Sequence, residues 1–188
     1  MVARQQVGPI WTVKQYLVLE RYSTVKHELH GGYVYALAGG SLAHSQIAGN
    51  VLTLLRAGVR GSGGRALNPD IKIRQSPDDY VYSDAVVTCD PRDDVPGQDW
   101  IDYPTLVVEV LSPSTERHDR AGKFEGYKNI PTFREYVLVE YRRREVEVWR
   151  RDAAGTWHRT TYEPGNDVAL ESVALTLPMD LIYEDSGL

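Results

Sequence analysis

YVYSDAVVTCD at residues 80–90, LVVEVLSPST at 106–115 and ERHDRAGKFEGY at 116–127 are the stretch whose reading decides the fold. The first two blocks are apolar and strand-like, and each carries one carboxylate, Asp84 or Glu109, where a core residue is expected. The third is helix-like and carries Lys123. An acid inside a buried strand costs several kcal/mol of desolvation unless a cation or hydrogen bonds compensate it. Asp and Glu together offer hard oxygen ligands of the kind Mg²⁺ takes.

Strand parity sharpens the pattern. Asp84 shares a face with Tyr82 and Val86, and Glu109 shares one with Val107 and Leu111. In neighbouring strands both carboxylates can point at one spot, although parity leaves the register open. The competing account pairs each acid with an arginine. In the third block, Asp119, Lys123 and Tyr127 lie four apart and form a polar stripe, with Ala121, Phe124 and Ile130 as core positions. A solvated face with an Asp119–Lys123 ion pair would also explain the stripe. Gly122 and Gly126 argue against that account, because they lower helix propensity and serve only a close approach.

Working outward, Thr12 and Gln15 fit a capping box, which predicts a helix over 13–21. His27 to Leu29 and Tyr33 to Ala36 read as a hairpin turning at Gly31-Gly32. Ser41 is an N-cap for a second helix with His44, Ile47, Ala48, Val51, Leu52 and Leu55 on one face, ending in the glycine-rich loop 58–64. Residues 65–75 read as one edge or bulged strand because of Pro69, with 80–89 returning antiparallel to it. The run 106–111 is apolar enough to be buried on both faces. A helix over 116–129, a buried strand over 136–139, and strands at 145–150 and 157–162 follow. The order predicts a mixed α/β domain: a central mixed sheet flanked by helices, with a C-terminal antiparallel meander.

Composition bounds the function. The chain has 188 residues, which suits a single domain over 1–188, and 42% hydrophobic with 25% charged residues is ordinary for a globular protein. A formal charge of −5 opposes a generic basic nucleic-acid coat, but acids gathered in a metal site would contribute to that sum. Cys89 is the single cysteine, so no internal disulfide forms. The N-terminus lacks the apolar run of a signal peptide, and no segment reads as membrane-spanning. A cytoplasmic location is expected. His27, His30, His118 and His158 show no zinc spacing, which speaks against a zinc site. There is no Walker loop and no G-x-S-x-G elbow.

SDAVVTCD, LVVEVLSPST, DRAGKFEGY and REYVLVE together resemble the Uma-type endonucleases of the PD-(D/E)XK superfamily. The resemblance spans residues 10–150 and reaches back to Glu28, Gly31-Gly32 and His44. It implies a restriction-endonuclease-like fold and a Mg²⁺-dependent DNA endonuclease, with Mn²⁺ as substitute. Asp84 and Glu109 then match the metal ligands, joined by the Val110 backbone carbonyl, and Lys123 matches the catalytic lysine. Glu28, His44 and Tyr127 are second-tier candidates. Ser83 stands where the family has proline, and Leu111 where a strand lysine would sit, so the cation must come from the helix. Arg142, Arg143 and Arg144 are the densest basic cluster and a candidate DNA contact, although an arginine-rich turn is more often plain surface. A homodimer follows by fold analogy, with a further protein partner left open. The competing function is a catalytically silent nuclease-fold module, dimeric and binding nucleic acid or another protein.

Overall fold

The computed structural model describes residues 10–188. Residues 1–9, which belong to the expected domain span and to the N-terminal stretch read for a signal peptide, lie outside the described residues. Helix α1, Val13–Tyr22, begins at the expected capping box: Gln15 N donates to Thr12 Oγ1 (3.3 Å) and Thr12 N donates to Gln15 Oε1 (2.9 Å). Strands β1, His27–His30, and β2, Tyr33–Ala36, pair antiparallel. Their two-residue connection needs positive φ at both positions, and Gly31 and Gly32 supply +53° and +81°. Ser41 caps α2, Leu42–Gly58, by accepting from His44 N, and Ile47, Val51 and Leu55 form its buried stripe.

The next segment departs from expectation. Residues 65–75 are not one strand but two, β3 (Arg65–Leu67) and β4 (Lys72–Ser76). Residues 80–89 also split, into β5 (Asp79–Tyr82) and β6 (Ala85–Thr88). The antiparallel return holds in both halves, because β4 pairs with β5 and β3 with β6. The halves belong to different sheets. After β7 (Trp100–Ile101) and β8 (Pro104–Val110) come a helix with a π-helical portion, His118–Lys123, continuing into α3, Phe124–Lys128. The strands β9 (Glu135–Val139), β10 (Val146–Arg151) and β11 (Trp157–Tyr162) form the expected meander. A hairpin of β12 (Val168–Leu170) and β13 (Leu175–Leu177) and a short α4 (Met179–Ile182) complete the chain.

The α/β class is as expected, with the strands shared between two mixed sheets. One runs β2-β1-β5-β4-β7 and the other β11-β10-β9-β8-β6-β3, the parallel pairs being β4/β7 and β8/β9. Strand β8 is covered on both sides, as its apolar run required. Leu106, Val108 and Val110 pack in the cluster with α2 and the C-terminal hairpin, while Val107 and Leu111 join Phe124, Tyr127 and Ile130. A third cluster, Tyr16, Leu29, Val34 and Tyr80, seats α1 on the first hairpin. The chain crosses between sheets at residues 68–71 and again at Ser83-Asp84. That second crossing positions the site.

Candidate active site

Asp84 occupies the crossing, not the interior of a strand, so the parity that grouped it with Tyr82 and Val86 does not carry through the break. The backbone there remains tied to β8: Asp84 N donates to Val108 O (3.1 Å). The side chain is fixed too, since Asp84 Oδ2 accepts from Val110 N at 2.7 Å. A loop residue is thereby held to the strand that carries Glu109.

Lys123 is buried, and its environment overturns the solvated-stripe account. Its Nζ donates to Tyr82 O (2.7 Å) and to Glu109 Oε1 (3.1 Å), and lies 3.3 Å from both Glu28 Oε1 and Asp119 Oδ1. Burial by itself would depress the ammonium's pKa. The carboxylates of Glu109, Glu28 and Asp119 outweigh it and hold the group well above the ordinary lysine range. Glu109 is pushed well above the usual carboxylate range, by burial first; Lys123 opposes this, while Asp119, Asp84 and Glu28 add to it. Asp119 is raised as well, again by burial first and against the pull of Lys123. One ammonium is shared by three acids, and two of them, Glu109 and Asp119, keep raised pKa values despite it.

The π-helical portion explains how one short helix serves this cluster. In an α-helix, residues five apart point roughly 140° away from each other. The i→i+5 pattern brings them to one side, so His118, Asp119 and Lys123 all reach inward. Gly126 makes the expected close approach: a Cβ there would collide with the Gln75 side chain, whose Nε2 donates to Lys123 O at 2.8 Å. Gly122 serves a different purpose, because its Cβ would lie 2.7 Å from Nδ1 of His118 in the same helix. Phe124 and Ile130 are core residues as expected, whereas Ala121 is exposed. Tyr127 is buried, and its hydroxyl donates to Glu109 Oε1 at 3.3 Å.

Asp84, Glu109, Val110, Lys123 and His44 line one pocket of about 120 Å³, together with Asp119 and Lys26. His44 Nε2 lies 3.5 Å from Asp84 Oδ2, so this histidine faces the acids and not the core. The Asp84 carboxylate raises the His44 pKa; burial opposes this, and the Val110 carbonyl adds to the rise. Glu28, a second-tier candidate by the resemblance, is fully buried, with Oε1 accepting from Tyr82 N at 3.0 Å. Its second oxygen, Oε2, lies 3.8 Å from His30 Nε2 and 3.9 Å from His118 Nε2, a cluster able to hold a metal ion. Sequence spacing missed this grouping because His118 comes 90 residues after Glu28 (118 − 28).

The arginine run is not among the residues lining the pocket. Arg142 pairs with Glu140 (2.9 Å) and Glu116 (3.3 Å), Arg143 with Glu145 (2.6 Å), and Arg144 with Asp180 (2.8 Å). Each guanidinium is thus already engaged by the protein's own acids. Among the described residues no helix is long and apolar enough to cross a membrane.

The two sheets, with the pocket at their junction, match the core of a solved nuclease-like fold. A crystal structure of "a putative nuclease belonging to DUF820" from Anabaena variabilis superposes with a TM-score of 0.76, covering 93% of this chain and 98% of that one, at 18% identity. Residues 13–180 match the Uma2 family, described as "Putative restriction endonuclease", and the chain belongs to that family. Two Synechocystis proteins are similar over most of their length. "Uncharacterized protein slr1290" is 38% identical, with 97% of each chain covered. "Uncharacterized protein sll1609" is 29% identical, with 79% of this chain and 85% of that one covered.

Proposed function

We propose that this protein is a Mg²⁺-dependent DNA endonuclease that hydrolyses phosphodiester bonds in the pocket lined by Asp84, Glu109 and Lys123. The observation that carries the reading is the charge imbalance there: Lys123 is shared by Glu28, Glu109 and Asp119, and Asp84 joins them at the pocket wall. Such an excess of desolvated carboxylate suits a divalent cation. The donor set fits Mg²⁺, with Asp84, Glu109 and the Val110 carbonyl as the residues that would hold it. When bound, the ion supplies a water of lowered pKa and charge stabilisation at a phosphate oxygen.

The chain's own residues do the rest. Val110 N fixes the Asp84 carboxylate, and the Tyr127 hydroxyl and Lys123 fix that of Glu109. Lys123 is held protonated, so its part is electrostatic: a fixed ammonium facing the negative charge that develops on the phosphate, not a proton acceptor. The Tyr82 carbonyl anchors that ammonium, limiting its reorganisation during reaction. The rest of the proposal is a cytoplasmic homodimer, in which two-fold symmetry supplies one site for each DNA strand.

The test is cleavage of supercoiled and linear DNA with Mg²⁺ or Mn²⁺, alongside calorimetric Mn²⁺ binding. Asp84→Asn and Glu109→Gln should each remove both signals. Either variant cutting at the wild-type rate overturns the assignment. Mn²⁺ binding without cleavage of any DNA favours the catalytically silent module instead.

A further inference from the structure

We propose that His30, His118 and Glu28 form a second, chemically distinct metal site, which takes a borderline transition ion such as Zn²⁺ and fastens the first hairpin to the π-helical segment. His30 Nε2 and His118 Nε2 both approach the same oxygen, Glu28 Oε2, at 3.8 and 3.9 Å, and the three atoms lie within 4.8 Å of one another. Tetrahedral zinc with bonds near 2.0–2.1 Å separates its donors by about 3.3 Å, so each histidine–carboxylate contact must contract by roughly half an ångström and the two imidazole nitrogens, within 4.8 Å of each other, must draw together to complete the triangle. The two imidazoles meet edge to face, with centroids 5.0 Å apart, beside the shared carboxylate oxygen. His30 Nε2 is buried and makes no hydrogen bond among the described residues.

The surroundings support the same use. Zinc-bound histidines commonly face a carboxylate through their second nitrogen, and His30 Nδ1 lies 3.8 Å from Asp79 Oδ1. Glu28 is held rigid from its other side, with Oε1 accepting from Tyr82 N. Gly122 leaves the space that the His118 ring occupies. Two imidazoles and one carboxylate select Zn²⁺, Co²⁺ or Ni²⁺, whereas Asp84, Glu109 and a carbonyl select Mg²⁺ or Mn²⁺. Three protein donors leave a fourth position open. The sites are linked through Glu28, whose Oε1 lies 3.3 Å from Lys123 Nζ.

The test is Zn²⁺ calorimetry and Co²⁺ electronic absorption on the full chain, in wild type and in Asp84→Asn. Both proteins should bind one such ion, and His30→Gln and His118→Gln should each weaken it by at least about tenfold. Circular dichroism without metal checks that the histidine variants fold. Should they not, X-ray absorption of the zinc-loaded wild type decides, with two imidazole nitrogens expected at about 2.0–2.1 Å. Fewer than two imidazoles, no Zn²⁺ binding by the wild type, unchanged affinity in both folded histidine variants, or binding abolished by Asp84→Asn overturns the proposal. The outcome is separate from that of the nuclease reading: zinc bound through histidine with no DNA cleavage supports this site and counts against the other.

Discussion

Two buried charge clusters in this protein are built on opposite plans. At the start of β9, opposite Arg150 of β10, the carboxylate of Glu135, fully buried, has every oxygen satisfied. Oε1 accepts from Arg150 Nε (2.7 Å) and Glu171 N (3.0 Å), and Oε2 from Ser172 N (2.8 Å) and the Ser172 hydroxyl. At the junction of the sheets a single ammonium is divided among Glu28, Glu109 and Asp119. The first cluster neutralises a charge and stops there. The second crowds acids out of water around one ammonium, a cost that proton uptake by Glu109 and Asp119 or a cationic ligand relieves. Buried acids alone do not distinguish structure from function; the ratio of acids to cations does.

The comparison can be broken at its centre. Lys123→Met leaves three desolvated carboxylates with no ammonium, and breaking a buried pair in this way costs about 3–5 kcal/mol. Urea unfolding of the metal-free variant should show that loss. Stability within 1 kcal/mol of wild type, on the order of an exposed pair, would mean that the cluster is already balanced. The sequence pattern alone allowed Lys123 to be a solvated partner of Asp119; burial removes that option.

A smaller effect sharpens the contrast between the two regions. Glu135→Gln should cost about 1.5–3 kcal/mol, the range for hydrogen bonds to a charged group. Glu109→Gln should cost little or stabilise the metal-free protein, because Lys123 keeps Glu28, Asp119 and the Tyr82 carbonyl while repulsion among the acids falls. Equal losses in the two variants under the same denaturation protocol would dissolve the distinction.

The smallest effect lies at the pocket mouth. His44 has its pKa raised by Asp84, so its contribution to stability is fully present below the usual imidazole value of about 6.5 and is lost as pH rises through the folded value. In metal-free protein, an NMR titration of the His44 ring should show its pKa falling in Asp84→Asn. No change would place the cause of the shift elsewhere.

Much of this was legible before folding. The capping box at Thr12, the Gly31-Gly32 turn, the α2 stripe and the doubly buried β8 all follow from local rules of spacing and propensity, and each forms where those rules put it. The acids of the pocket were legible for a related reason: a carboxylate in an apolar run contradicts its own surroundings. The strand breaks at 68–71 and 83–84 were less so, because a chain that leaves one sheet for another keeps the same alternating pattern on both sides of the crossing. The C-terminal hairpin and α4 were missed, although Val168, Leu170, Leu177, Met179 and Ile182 close the α2 side of the core.

Local sequence by itself determined which side chains carry charge, where α1, the first hairpin, α2 and β8 form, and that Asp84, Glu109 and Lys123 are out of place in a simple core. Tertiary structure decided what those charges face. Hydrogen-bond ladders set the register that lets Val110 N hold Asp84, and the π-helical portion turns His118 and Lys123 to one side. The approach of the first hairpin brings Glu28 and His30 against a helix about 90 residues later. Electrostatic coupling depends on distance and desolvation. Neither is a property of spacing along the chain, so the balance of charge at the site exists only once the two sheets meet.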